Sequence, residues 1–266
     1  MNAIGGLPLR FRPAAAWLKD FARSTPGVVA AYLGGSLATD RVDADSDLDC
    51  QVLVEAGRAQ DVFDAMLGGL RERWTVDGLW LVPTPAWHGG IQLFATVAPS
   101  EAVDRPTGGS VEPLWVDLLV AEATPGWLDV DERRHGRVVV LHDPGDQVRF
   151  VPQDDERLRK DAVESAQRIA DRLATAEWLV MKAVRRGHWP EAYDYLVRMG
   201  VVPVVQLLRT VHCPARWDFG LRYLDDLPAD DVARVQRLLP GPPEHLGVQA
   251  EEAFAWQRDL LARVLR

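Results

Sequence analysis

Hydrophobic positions follow two rhythms along this chain, and the rhythm changes near residue 151. Before it, short apolar runs alternate with turn-forming clusters, a pattern of strands mixed with a few helices. Residues 28–33 carry no charge and read as a buried strand. Residues 47–54 alternate, setting Asp47, Asp49 and Gln51 on one face and Leu48, Cys50 and Val52 on the other. Further strands are expected over 78–82, 90–97, 113–121 and 137–141. Helical spacing of Ala14, Leu18 and Phe21 behind Pro13 predicts a helix over 13–23. Val62, Met66, Leu67 and Leu70 predict another over 59–74, weakened by Gly68 and Gly69.

From Asp154 onward the period is helical. Residues 155–186 place Ala162, Ala166, Ile169, Leu173, Ala176, Val180 and Val184 on one face, with Gly187 to end the helix. Helices follow over 190–209, with a kink or break at Pro203, from Leu227 to Leu239, and over 248–265. The expected fold class is α+β: an N-terminal mixed-sheet domain, residues 1–151, followed by an all-helical C-terminal domain, residues 152–266. The boundary falls at Val151-Pro152-Gln153, and no internal repeat or low-complexity segment interrupts either part.

The length of 266 residues suits two domains, and 47% hydrophobic with 26% charged residues is ordinary for a chain that buries a core. A formal net charge of -9 argues against a protein that grips nucleic acid, because neutralising phosphates takes clustered Lys and Arg. A small or cationic substrate fits better. Residues 1–150 hold 13 basic and 21 acidic residues, against 17 and 18 after them, so the acidity sits in the first part. Two cysteines, Cys50 and Cys213, make no disulfide framework and no zinc spacing, which points to a reducing cytoplasm. Residues 1–13 hold no apolar run of signal-peptide length. Residues 78–100 are nearly uncharged, but Pro83, Pro85, Gly89, Gly90 and Pro99 interrupt them, so two strands are expected there and no membrane segment.

Candidate chemistry lies between the first two strands. Gly34-Gly35-Ser36 ends the run 28–33, then ten residues lead to Asp47-Leu48-Asp49. Taken alone, the glycines are ordinary turn chemistry and the acids ordinary strand-end residues. Together they pair a turn whose backbone approaches phosphate with two carboxylates on one strand face. Asp117 stands inside the apolar run Leu114-Trp115-Val116-Asp117-Leu118-Leu119-Val120. Desolvating a carboxylate costs several kcal/mol unless it is paired or metal-bound, so Asp117 needs a partner. Two-metal phosphoryl transfer uses carboxylates that bridge cations about 3.5–4 Å apart. A strand bearing Asp117 beside residues 47–54 would gather all three acids.

This combination resembles the DNA polymerase beta-like nucleotidyltransferase superfamily, and the trailing helical domain makes it most similar to the aminoglycoside and lincosamide nucleotidyltransferases. The motifs cover residues 28–120, and the architecture the whole chain. The resemblance implies an N-terminal nucleotidyltransferase domain that uses Mg2+, two ions, and ATP as donor. It implies transfer of a nucleoside monophosphate to a hydroxylated small-molecule acceptor, such as an aminoglycoside-type antibiotic, with release of pyrophosphate. Gly34, Gly35 and Ser36 would hold phosphates, and Asp47, Asp49 and Asp117 the metals. The helical domain would close over the nucleotide and shape the acceptor pocket.

In that domain Arg168, Arg172, Lys182 and Arg186 share a basic helix face suited to the triphosphate, or else a solvated face with a Glu164–Arg168 pair. Arg41 is a further cation in the loop between the motifs. No motif marks a general base. Glu112, Glu122, Glu191 and Asp194 are candidates, and Glu191 is preferred. Trp87, Trp115, Trp189, Tyr193, Tyr195, Trp217 and Tyr223 would line a pocket or pack a core. The six histidines, His88 among them, show no zinc spacing. Two other readings stay open: nucleotidylation of a protein or RNA in a regulatory or toxin–antitoxin setting, and a nucleotide-binding sensor without turnover. The sequence carries no readable oligomer signal.

Overall fold

The computed structural model describes residues 3–84, 86, 89–99 and 113–266. The chain divides into two compact units, Met1–Pro152 and Gln153–Arg266. The fold is α+β, with the strands in the first unit and a bundle of helices in the second.

In the first unit, helix α1 (Arg12–Ser24) leads to β1 (Val28–Leu33), a four-residue helical turn α2 (Gly35–Ala38), β2 (Leu48–Val54) and α3 (Ala59–Arg73). Strands β3 (Trp74–Leu81), β4 (Ile91–Pro99) and β5 (Leu114–Glu122) follow. Then come α4 (Pro125–Leu128), β6 (Asp129–Val130), α5 (Glu132–His135), β7 (Val139–His142) and β8 (Arg149–Phe150). Six strands form one sheet in the order β3-β4-β5-β2-β1-β7, and β6 and β8 pair separately. The β2–β5 pair at its middle is parallel, while its other neighbours are antiparallel.

Alternation decides what each face buries. Leu48, Cys50, Val52 and Val54 join Leu93, Ala95, Val97, Val116, Leu118 and Val120 in a core with Phe11, Leu18, Met66 and Leu70 from the helical segments. The opposite face is covered in part: Ala30, Tyr32, Leu53, Leu119 and Ala121 pack with Val130, Val138 and Val148. The rest of that face carries Asp49, Gln51, Gln92 and Asp117, half-buried rather than sealed.

Strand β3 starts at Trp74, earlier than the predicted 78–82, and the preceding helix stops at Arg73. Trp74 packs edge-on against Trp17 at 5.2 Å, and Trp74, Thr75 and Val76 pair with Pro99, Ala98 and Val97. Burial of Trp74 and the ladder override the helical spacing. The register shifts between Asp77 and Trp80, with Gly78 at φ +59 taking the left-handed conformation there. Residues 101–110, polar and glycine-rich in the sequence and so expected to form a loop, lie outside the described residues. The two-residue strands β6 and β8 were not expected, because pieces that short leave no periodic trace.

The second unit comprises α6 (Asp155–Arg185), α7 (Trp189–Tyr195), a π-helical turn (Leu196–Val201), α8 (Val202–His212), α9 (Ala229–Leu238) and α10 (Leu246–Val264). The expected face of α6 turns inward, with Ala162, Ala166, Ile169, Ala176 and Val180 buried and Leu173 and Val184 packed beside them. Pro203 does not break the helical run; a π-turn precedes it. A proline lacks the amide hydrogen that would bond the carbonyl four residues back, here Met199. Buried Gln257 supplies the missing donor, its Nε2 donating to Met199 O at 2.8 Å and Gly200 O at 2.9 Å. Arg209, fully buried, ties the segment after α8 by donating to the carbonyls of Gly220, Arg222 and Tyr223 and pairing with Asp226 at 3.3 Å. Among the described residues no helix is long and apolar enough to cross a membrane.

Candidate active site

The two motifs meet because β1 and β2 are antiparallel neighbours: Leu33 faces Cys50, and the Gly34 amide donates to Asp49 O at 3.0 Å. Gly35 sits at φ +57, a conformation that side chains oppose. A Cβ there would fall 1.6 Å from Asp49 Oδ2, so the Asp49 carboxylate occupies the space a side chain would take. Ser36 Oγ and Gln51 Oε1 are both buried and make no hydrogen bond among the described residues. Gln51 lies against Gly34, where a Cβ would stand 3.1 Å from Oε1. Two orphaned polar atoms beside a carboxylate are costly in a folded chain, and a polar ligand would relieve them.

Arg10 holds the loop between the motifs, donating to the carbonyls of Asp43 and Ser46 at 2.6 Å each and to that of Ala44. Ser46 donates to Asp43 at 2.8 Å, and that bond holds the Asp43 carboxyl below the usual carboxylate range. The Arg41 amide donates to Ser36 O at 3.0 Å.

Asp117 comes beside Asp49 through the parallel pair, where the two are register partners. Neighbouring strands lie about 4.8 Å apart, and partners in register point to the same face. Gln92 on β4 donates from Nε2 to Asp117 Oδ1 at 2.6 Å, which answers the question of how an acid sits in so apolar a run. Asp47 precedes β2, next to the Leu48–Val116 pair. The Cys50 thiol on the other face registers all three: burial first, then Asp49, Asp117 and Asp47, hold it well above its ordinary range.

Among the described residues no three His, Cys, Asp or Glu side chains are grouped so as to hold a metal ion. A cage made wholly of protein ligands is not what Mg2+ requires, because it keeps several waters and is bound through one or two carboxylates plus substrate phosphates. Asp49 and Asp117, with the orphaned oxygens of Ser36 and Gln51 beside them, fit that donor set.

A second feature of this face escaped the sequence reading. Trp80 on β3 stacks on Phe94 of β4, with ring centroids 5.4 Å apart and planes 16° apart. Trp80 registers with Phe94, Phe94 with Asp117, and Asp117 with Asp49, so the four form one row across four strands. The signal was the alternation of residues 90–97, which puts Phe94 on the face of Gln92. Trp115, two residues before Asp117, is on the same face. Trp87, His88 and Glu112 lie outside the described residues.

The remaining candidates have the following neighbours within their own units. Glu122 accepts from the Gly57 amide at 2.8 Å. Within the second unit, Arg168 and Arg172 are exposed, Lys182 stands 4.7 Å over the Trp178 ring, and Arg186 caps α6. Glu164 lies within 4.0 Å of Lys160, not in the expected pair with Arg168. Glu191, in the first turn of α7, lies 3.4 Å from His188 Nδ1 and accepts from the Tyr195 hydroxyl, a bond that raises the Tyr195 phenol above its ordinary range. Asp194 pairs with Arg198 at 2.8 Å, and Tyr193 donates to Gly241 O.

No family model and no curated protein sequence matches the chain. Among solved structures it is similar to antibiotic adenyltransferases. One is an aminoglycoside 6-adenyltransferase from Bacillus subtilis, at 10% identity and TM-score 0.34, covering 97% of this chain and 92% of that one. Another is a spectinomycin adenyltransferase from Enterococcus faecialis with ATP and spectinomycin, at 11% identity and TM-score 0.33, covering 97% and 98%. A likeness so distant says nothing about chemistry.

Proposed function

We propose that this protein is a nucleotidyltransferase that moves the nucleoside monophosphate of ATP to a hydroxyl of a small molecule and releases pyrophosphate. One observation carries the reading: Asp49 and Asp117 stand in register on adjacent parallel strands, with Asp49 lying against Gly35 of the glycine turn.

Asp49 and Asp117 would hold Mg2+, with Asp47 at the entrance of β2. The bound metal would neutralise charge on the phosphates and acidify the attacking hydroxyl. Ser36 has a buried hydroxyl with no partner among the described residues, and it would donate to a phosphate oxygen. Gly34 and Gly35 let the backbone approach without an intervening side chain. Gln92 orients Asp117 through its 2.6 Å bond. The local acidity, with no Lys or Arg in β3, β4 or β5, favours a cationic acceptor over nucleic acid.

The test is incubation of the purified chain with α-labelled ATP, MgCl2 and a panel of hydroxylated amines, spectinomycin included. Label transfer with pyrophosphate release is expected, falling to background in Asp49→Asn and Asp117→Asn. Transfer that survives both substitutions, or no transfer to any acceptor, would overturn the reading.

A further inference from the structure

Tyr32, Gln51, Leu119 and Gln92 are register partners across β1, β2, β5 and β4, in the row beside Asp49 and Asp117. Three of them have an evident role there. Tyr32 and Leu119 are buried in the covered part of the face, and Gln92 donates to Asp117. Gln51 has no such role. Its Oε1 is buried without a hydrogen bond among the described residues, whereas a leucine would fill the row with no acceptor to satisfy. The oxygen rests on the glycine turn beside the Asp49 carboxylate: Gln51 Oε1 is 3.1 Å from the Cβ position of Gly34, and Asp49 Oδ2 is 1.6 Å from that of Gly35.

The groups around Gln51 have no proton left to give it. The Tyr32 hydroxyl donates to Trp127 O at 3.1 Å, and the Gly34 amide to Asp49 O at 3.0 Å. Leu119 has no side-chain donor. Ser36 Oγ is itself without a partner among the described residues, so it is not the donor either. A carbonyl oxygen only accepts, and whatever completes it must bring a hydrogen. A fully ionised triphosphate brings acceptors alone, which suits the Ser36 hydroxyl and leaves Gln51 unanswered. Mg2+ does bring donors, because it keeps several waters when bound through one or two carboxylates and substrate phosphates, and the ion polarises their O–H groups.

We propose that Gln51 is a positioning residue of the metal site: its Oε1 accepts from a water on the Mg2+ held at Asp49, orienting the hydrated ion without touching it. The inference rests on the transfer reading and adds to it a residue outside the glycine and aspartate motifs. Partners of this outer kind change metal affinity by about 10- to 100-fold.

The experiment is calorimetry of wild type, Gln51→Leu, Gln51→Glu and Ser36→Ala with α,β-methylene-ATP, which cannot be cleaved at the reacting bond, once with MgCl2 and once with EDTA. Wild type is expected to bind the magnesium complex more tightly than the metal-free analogue. Gln51→Leu should bind the complex about tenfold or more weakly and the metal-free analogue as wild type does. Gln51→Glu keeps an acceptor and should hold the complex, while Ser36→Ala should weaken both forms alike. Without ligand, Gln51→Leu should melt no lower than wild type, because it removes an orphaned acceptor. The inference is overturned if Gln51→Leu binds the complex as wild type does, loses both forms equally or melts well below wild type without ligand. Loss of the complex by Gln51→Glu, or no preference of wild type for the magnesium form, overturns it as well. Transfer from labelled ATP is scored apart. Transfer alongside unchanged complex affinity in Gln51→Leu strikes this inference and leaves the transfer reading, whereas magnesium binding that depends on Gln51 without any transfer does the reverse.

Discussion

Gly35 and Asp49 share a space that admits only one side chain: a Cβ on Gly35 would lie 1.6 Å from Asp49 Oδ2. The glycine is also at φ +57, where an L-residue is disfavoured by about 1–2 kcal/mol. Gly35→Ala is therefore expected to push the Asp49 carboxylate aside and to lower transfer about 100-fold, the scale set by a displacement of about 1 Å at a reacting centre. Gly57→Ala is the control. It has φ +77 but nothing within 4 Å of the added methyl, so it carries the backbone strain without the collision. Equal activity of the two variants would contradict this account.

The Asp49–Asp117 pair, in register across β2 and β5, is tested by its response to Mg-ATP. With Mg-ATP the wild type should gain in melting temperature and the Asp49→Asn and Asp117→Asn variants should not, while their kcat falls by about 100- to 1000-fold. Scanning calorimetry with and without Mg-ATP reads both effects.

Gln92 acts through Asp117. A hydrogen bond to a charged group contributes about 1.5–3 kcal/mol. Gln92→Leu is expected to reduce kcat about tenfold or more through a misdirected Asp117, with the ATP KM little changed. Gln92→Glu should be worse, because it adds a carboxylate where a donor stood. Steady-state kinetics at saturating Mg2+ separates kcat from KM.

In the helical unit, Gln257 satisfies the carbonyls of Met199 and Gly200. Gln257→Leu strands buried acceptors at about 1–3 kcal/mol. Urea denaturation should show the loss as a lower midpoint.

Tyr32 is buried, donates to Trp127 O at 3.1 Å, and burial holds its phenol well above the ordinary range. The folded state thus keeps the proton that the unfolded chain releases near pH ~10. Its stabilising contribution is fully present below that pH and is lost progressively as pH rises from there toward the folded value. Tyr32→Phe should flatten the alkaline limb of the stability curve above about pH 10, measured by denaturation at stepped pH.

The strands of the first unit were legible because their burial is one-sided or complete, and both patterns survive in the order of residues. Residues 28–33 and 47–54 are examples, and so is the inward face of α6. Trp74 misled for a local reason: it continues a helical spacing, yet its ring is buried against Trp17 and its backbone pairs with Pro99. Pro203 announced a disturbance but not its repair, since the donor that compensates it, Gln257, is far along the chain.

The sequence by itself determined the division into a mixed and a helical part, the alternation that aims Asp49 and Gln51 to one side, and the anomaly of an acid in the run 114–120. Only the tertiary structure decided which strands are neighbours. The parallel pairing of β2 with β5 brings Asp117 to Asp49, and the antiparallel pairing of β4 with β5 brings Gln92 and Phe94 to them. The physical reason is that alternation specifies the face a residue points to, a local property of one strand. Register between strands is set by the packing of a whole sheet against its core, which no single segment encodes.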